Sequence, residues 1–316
     1  MDGGAPRSST AAAFGGAKFS RRDTELRDEL GTHWAPWGVA SEWRPLRGVL
    51  LHRPGAELDE VSDPDANLML KKPDPVRMRT QHDALADAYR REGVAVHYVD
   101  PPEVPPPNQM FCADTFLMPP EGAIVGRPAS HARAGEERWI AARLAALGIP
   151  ILRTVRGAGT FEGADALWLA PDRVLLGCGF RTNAAGVAQV AATLGEQGVE
   201  TVSVEVPDDA MHLMGLVRIV DQDLACVHPT LTPRDAVVAL EDAGHRVLPF
   251  PSPEEIRTGM GPNFVTLGPR RVVLPAGNPR TRGTLEAAGV ECVDVAVDAI
   301  APAAGAIGCL TGVLGR

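Results

Sequence analysis

From Trp34 onward, apolar and polar positions recur in one order, and that order repeats five times. Each copy holds a stretch with apolar residues at helical spacing, then a glycine, then a short β-rich run. The copies are RMRTQHDALADAYRREG–VAVHYV, EERWIAARLAALG–IPILRTV, AAGVAQVAATLGEQG–VETVSVEV, PRDAVVALEDAG–HRVLPF and PRTRGTLEAAG–VECVDVAV. Their glycines, Gly93, Gly148, Gly198, Gly244 and Gly289, stand 55, 50, 46 and 45 residues apart. Each sits where a helix ends in a left-handed cap, a conformation glycine adopts without a Cβ penalty. Pro233 and Pro279 begin the fourth and fifth helices, where a missing N–H leaves no bond unmade.

A short apolar strand precedes each helix: GVLLHRP, AIVGRP, RVLLGCGF, LACVHP and RRVVLPAG. A third apolar run follows each helix–strand pair: FCADTFLM, FEGADALWL, MHLMGLVRIV, PNFVTLG and GAIGCLTGVL. Apolar strands alternating with amphipathic helices predict an α/β fold. Repeats of about 50 residues predict radial closure, which leaves few sheet edges exposed. An ordinary doubly wound sheet is the alternative reading. Residues 1–24 are rich in Gly, Ala and Ser and are expected to form a flexible tail. Residues 25–316 are expected to form a single domain.

Composition narrows the function. The chain has 316 residues and a net charge of -9, and no run of Lys and Arg forms a basic face, so a nucleic-acid partner is not expected. No apolar stretch approaches the roughly 20 residues of a membrane span, and the N-terminus lacks the apolar core of a signal peptide. Five widely spaced cysteines without a CxxC argue against disulfides or structural zinc. The histidines form no HExxH or HxH, so neither a metal nor another cofactor is expected. The expectation is a cytoplasmic protein with free thiols, and a homo-oligomer is compatible with it.

The polar residues of interest fall at one place in each repeat, the loop before the third apolar run: Asp114, Glu162 with Asp165, His212, Asn263 and Cys309. Equivalent loops in a radial fold converge on the axis. A thiol, a histidine to move its proton and a group to orient the histidine would then meet. Cys309 has Gly305, Gly308 and Gly312 around it, which suits close backbone approach. Cys178, Cys226 and Cys292 lie in strand runs and read as buried apolar residues, whereas Cys112 beside Asp114 is a second thiol that could react. Glu162, Asp165 and Asp114 read either as solvated turns or as carboxylates for a planar cation. Arg133 and Arg181 each open a helix, where the macrodipole disfavours a cation, so both are candidates to clamp an anion. Asn263 follows Pro262, a turn signal, and is placed near the site without a role. The acidic segment 53–70 is a candidate lid.

Taken in order, FCADTF, GRPASHARAGE, FEGAD, GFRTNAAG, MHLMG and GAIGCLTG resemble the guanidine-modifying superfamily with the pentein fold. The likeness covers roughly residues 44–316 and is nearest to the dimethylarginine dimethylaminohydrolase and arginine deiminase-like branch. It implies a five-bladed α/β propeller with a central active site. It also implies Cys309 as nucleophile, His212 as general acid and base, and Glu162 as the carboxylate orienting His212. Asp114 aligns with a guanidinium-binding Asp, while Arg133 and Arg181 fall where the family holds the substrate carboxylate. Met214 stands where the deiminases and amidinotransferases have Asp, Asn108 where the dimethylarginine hydrolases tend to have Asp, and Ala113 where they tend to have an acid. The implied reaction converts arginine or a methylarginine to citrulline through a covalent S-alkylthiouronium, with a small guanidino molecule as partner and no metal. The alternatives are amidino transfer to an acceptor amine and arginine dihydrolysis to ornithine.

Overall fold

The computed structural model describes residues 11–59 and 61–316. Its strands are β1 (Gly48–Leu51), β2 (Ala95–Tyr98), β3 (Phe116–Leu117), β4 (Ala123–Val125) and β5 (Ile151–Thr154), followed by β6 (Ala166–Ala170), β7 (Arg173–Cys178) and β8 (Glu200–Glu205). Then come β9 (Val217–Asp221), β10 (Leu224–Val227), β11 (Arg246–Pro249), β12 (Val265–Gly268), β13 (Arg271–Pro275), β14 (Glu291–Val295) and β15 (Gly312–Gly315). They form five three-stranded sheets of one plan: β3-β4-β5, β6-β7-β8, β9-β10-β11, β12-β13-β14 and β15-β1-β2. In each, the first strand pairs antiparallel with the central one and the third pairs parallel with it. The last sheet takes its first strand from the C-terminus, so it joins the two ends of the chain.

A parallel pair needs a crossover, and the predicted helices supply all five: Pro75–Arg91, Glu136–Ala146, Ala184–Gly195, Arg234–Asp242 and Pro279–Ala287. All five glycines past these helices have positive φ, between 74° and 90°. The first helix starts before the apolar periodicity does, because the Asp74 side chain accepts the Arg77 N–H and Pro75 occupies its first turn. Central strands β1, β4 and β10 are buried at every position. The third strands are edges and carry charge outward, as in Glu200 of β8, Arg246 of β11 and Glu291 of β14. Such charges discourage pairing with another chain.

Neighbouring sheets touch in sequence. β15 packs on β3, and Arg127 and Phe161 bridge the sheet of β3-β4-β5 to that of β6-β7-β8. The turn Leu213–Leu216 packs on β6 and β9, β9 packs on β12, and the Leu46 N–H donates to the Leu267 carbonyl at 2.8 Å, linking β12 to the start of β1. Of the segment expected as a tail, residues 1–10 lie outside the described residues. Ala12–Phe14 form one 3-10 turn, and Arg22 and Thr24 bind the buried Glu29 carboxylate. Among the described residues, no helix is long and apolar enough to cross a membrane.

Candidate active site

In four of the five units a single helical turn stands directly before the first strand of the sheet: Cys112–Asp114, Gly163–Asp165, Leu213–Leu216 and Ile307–Leu310. A plain loop is what the sequence suggests there, and a strand beginning at His212. The structure instead makes His212 and Glu162 the residues that cap their turns. Gly163 shows why the turns fit together, since a Cβ there would collide with the backbone oxygens of Phe116 and Ala113. Around the thiol, a Cβ on Gly305 or Gly312 would run into the rings of Phe111 and Phe116.

Glu162 is fully buried and hydrogen-bonds His212 Nε2 through Oε2 at 2.6 Å. Its Oε1 accepts the Ala129 N–H at 3.1 Å. Burial opposes its ionisation, but the bond and charge of His212, with Arg133 and Arg181, outweigh burial and hold it down at about 2. His212 is driven the other way. Burial disfavours its cation, yet Asp114, Asp165 and Glu162 together carry it up to about 9. Its other ring nitrogen, Nδ1, lies 3.9 Å from Asp114 Oδ1. At neutral pH the pair is therefore an imidazolium and a carboxylate, a proton donor held in place.

Asp165 positions that histidine without entering the cavity. Its Oδ1 accepts the Leu213 N–H at 2.8 Å and its Oδ2 the Thr182 hydroxyl at 2.6 Å. Burial pushes this carboxyl up to about 6. Thr182 also bonds the Glu162 N–H at 3.1 Å, so one hydroxyl joins both acidic turns.

Cys309 is 8% exposed. Asn263 grips it twice: Nδ2 donates to Sγ at 3.1 Å, and Oδ1 accepts the Cys309 N–H at 3.2 Å. Burial and the Asp114 charge push the thiol up, while a backbone hydrogen bond at Ala306 and the Asn263 amide pull it down. Cys112, the second candidate thiol, is wholly buried and its pKa is forced far up by burial. It has no access to a substrate.

Arg133 is the residue the structure treats most differently from expectation. Its Nε and Nη2 bind Glu136, the latter at 2.7 Å, and its Nη1 binds Asp114 at 2.6 Å and Glu162 at 3.3 Å. All three nitrogens are engaged by buried carboxylates, which leaves little capacity for the substrate carboxylate suggested for it by resemblance. Arg181 is freer, with a single long contact to Glu162 Oε1 at 3.5 Å and its guanidinium carbon 5.3 Å from the Phe180 ring centre. Glu136 was not singled out from sequence, although its place three residues after Arg133 is the spacing of a helical ion pair.

Two cavities meet at Cys309. A narrow one of about 20 Å³ is lined by Asn108, Asp114, Arg133, Arg181, Leu68 and Phe111, among others. In its wall Asp114 Oδ1 and Asn108 Oδ1 are buried acceptors with no partner among the described residues. Asn108 uses its amide nitrogen on the Asn67 carbonyl at 2.8 Å, so segment 53–70 reaches the cavity through Asn67 and Leu68. Leu68 and Ala304, both in this wall, hold positive φ of 59° and 65°, local strain gathered at the site. The second cavity, about 510 Å³, includes His212 and Asn263 in its wall.

Asp114, Glu162 and His212 bring their ligand atoms within 4.8 Å of one another, a composition that could hold a metal. The donor set suits it poorly. Arg133 already neutralises both carboxylates, and a protonated imidazole is not a ligand.

The family model described as "Arginine deiminase" matches residues 103–248. A dimethylarginine dimethylaminohydrolase of Streptomyces coelicolor is 28% identical over 267 residues, covering 84% of this chain and 96% of that protein. The enzyme of the same name from Pseudomonas aeruginosa is 26% identical over 243 residues, covering 77% and 90%. Among solved structures, the P. aeruginosa enzyme complexed with citrulline superposes with a TM-score of 0.72 at 22% identity, over 84% of this chain and 98% of that one. The N-terminal domain of ArgZ, a cyanobacterial arginine dihydrolase, superposes at 0.73 with 19% identity, over 85% and 98%.

Proposed function

We propose that this chain is a guanidine-modifying enzyme of the pentein superfamily, and that it hydrolyses a guanidino amino acid, arginine or a methylarginine, through a covalent bond to Cys309; the family match over residues 103–248 and the dimethylarginine dimethylaminohydrolase relatives support this reading. The observation that carries this reading is the pair of unpartnered buried acceptors, Asp114 Oδ1 and Asn108 Oδ1, in the wall that also holds the thiol. A buried acceptor left bare costs about 1–3 kcal/mol. A planar cation with N–H groups along its edge satisfies both acceptors at once.

The steps follow from the charges. The bound guanidinium favours the thiolate, and the thiol proton leaves to solvent. Sγ bonds the guanidinium carbon, His212 gives its proton to the departing nitrogen, and the C–N bond breaks. His212, now neutral, takes a proton from water. That water attacks the S-alkylthiouronium, the C–S bond breaks, and citrulline leaves. Glu162 holds the imidazole throughout, Arg133 balances the carboxylates, and Arg181 receives the substrate carboxylate. Asn263 holds Cys309, and Asp165 holds the turn of His212. We read the five sheets as blades closed around this site, supported by the chain of contacts between successive sheets.

The test is product analysis by mass spectrometry with arginine, N-methylarginine and N,N-dimethylarginine, each with and without an acceptor amine. Citrulline from the wild type and none from Cys309→Ala is the expected result. Ornithine appearing only with an amidinated acceptor would identify a transferase, and ornithine without acceptor a dihydrolase. No product and no adduct on Cys309 would overturn the reading.

A further inference from the structure

A third cavity lies behind the catalytic turns. It encloses about 90 Å³, and the first strand of every sheet contributes to its wall: Leu117, Trp168, Ile219, Val265 and Val313. Ala113, Gly163, Met214 and Gly308, one from each of the four turns, adjoin it. None of Asp114, Glu162, His212 and Cys309 lines it, so it is separate from the site described above.

Three charged side chains stand in this mostly apolar wall: Arg218, Arg316 and Glu42. Glu42 is engaged elsewhere, since its Oε1 accepts the Trp168 backbone N–H at 3.1 Å. Arg316 gives Nη1 to the Arg44 carbonyl at 3.0 Å, while its buried Nε has no partner among the described residues. Arg218 is less satisfied still. Among the described residues its guanidinium donates to no acceptor and joins no ion pair, and its central carbon lies 5.2 Å from the Phe264 ring centre. Burial holds both arginines below the ordinary arginine value, and the Arg218 charge presses Arg316 down further, to about 10. Two neighbouring cations therefore face one carboxylate in an apolar enclosure, where unpaired charge is costly.

The charges and their geometry name a ligand. A guanidinium presents paired N–H donors that match the two oxygens of a carboxylate. A single negative charge balances two arginines against Glu42, whereas a doubly charged phosphate would exceed the balance. We infer that this cavity is a binding site for a small monocarboxylate, held by Arg218 and Arg316 with its apolar part against the strand residues. The site is distinct from the substrate site and does not depend on the hydrolase reading.

The probe is sodium trifluoroacetate, followed by its fluorine NMR shift as it is titrated against the protein. Arg181→Met is the starting variant, because Arg181 is the clamp proposed for the substrate carboxylate and its loss removes that competing site. One saturable shift is expected. Sodium acetate should displace the probe, and sodium chloride at the same ionic strength should not. Adding Arg218→Met should weaken probe binding by about tenfold or more, the loss of a charge-assisted bond. Methionine replaces an unpaired cation by an apolar chain, a change that buried sites tolerate, and thermal unfolding checks the fold. The inference is overturned if Arg181→Met shows no saturable shift, or if Arg218→Met leaves the affinity unchanged. It is also overturned if chloride displaces the probe as well as acetate does. The saturation and displacement measurements need no substitution in the cavity, so they decide the matter even where the double variant folds poorly.

Discussion

Replacing Asn263 by alanine removes both of the bonds that hold Cys309, and their loss has separable consequences. The Nδ2 donor reaches Sγ at 3.1 Å. Donation to a charged acceptor is worth about 1.5–3 kcal/mol, more than to a neutral one, so the thiolate loses more than the thiol. The difference between the two, about 1–1.5 kcal/mol, converts at one decade per 1.4 kcal/mol to a fall of about five- to tenfold in the thiolate fraction at a fixed neutral pH. The Cys309 N–H also loses its acceptor, which affects stability and not reactivity. The assay is the rate of iodoacetamide alkylation at Cys309, read by peptide mass spectrometry across pH 6–10, with thermal unfolding in parallel. Burial of Cys112 keeps that thiol out of the measurement. The expected profile is displaced to higher pH. An alkylation rate within twofold of wild type at neutral pH would refute the reasoning, since Asn263 would then merely fill space. Asn263→Asp retains the shape but places a carboxylate against sulfur, and it should slow alkylation further.

Arg133→Met leaves Asp114, Glu136 and Glu162 without their cation and should cost about 3–5 kcal/mol in urea unfolding, the price of uncompensated buried charge; a change under 1 kcal/mol would show that Arg133 is not the balancing charge. His212 is raised to about 9 from 6.5. Its stabilising contribution is therefore full below pH 6.5 and lost as pH rises through 9. The melting temperature should decline across that window in wild type and less so in His212→Asn, which should also lose 100-fold or more in turnover, on the order of a general acid's contribution. Asp165→Ala orphans the Leu213 N–H and should lower kcat with little change in KM, because it frees the turn of His212 and touches no substrate; a pure KM effect would contradict this. Gly163→Ala drives a methyl into the Phe116 and Ala113 carbonyls and should sharply reduce soluble folded protein, which size-exclusion chromatography would report.

Local pattern carried the architecture. The five helix–glycine–strand copies appear as five crossovers ending at Gly93, Gly148, Gly198, Gly244 and Gly289, each with positive φ. Periodicity and capping are properties of neighbouring residues, so they are written in the chain itself. That these side chains would come together was legible for a related reason, since repeats present equivalent positions and Asp114, Glu162, His212, Asn263 and Cys309 occupy them.

Roles were not legible in the same way, because they depend on which groups share a buried space. Arg133 and Arg181 look alike in sequence, yet one is locked by three carboxylates and the other has a single long contact. Glu162 and Asp165 stand three residues apart, but only Glu162 meets the His212 ring, while Asp165 binds the backbone beneath it. Asn263 gained its partner only when folding brought it against a thiol 46 residues away. A linear pattern records how each residue suits its neighbours along the chain. Burial, which decides whether a charge is paired, raised or suppressed, is created by contacts between units that only the tertiary structure makes.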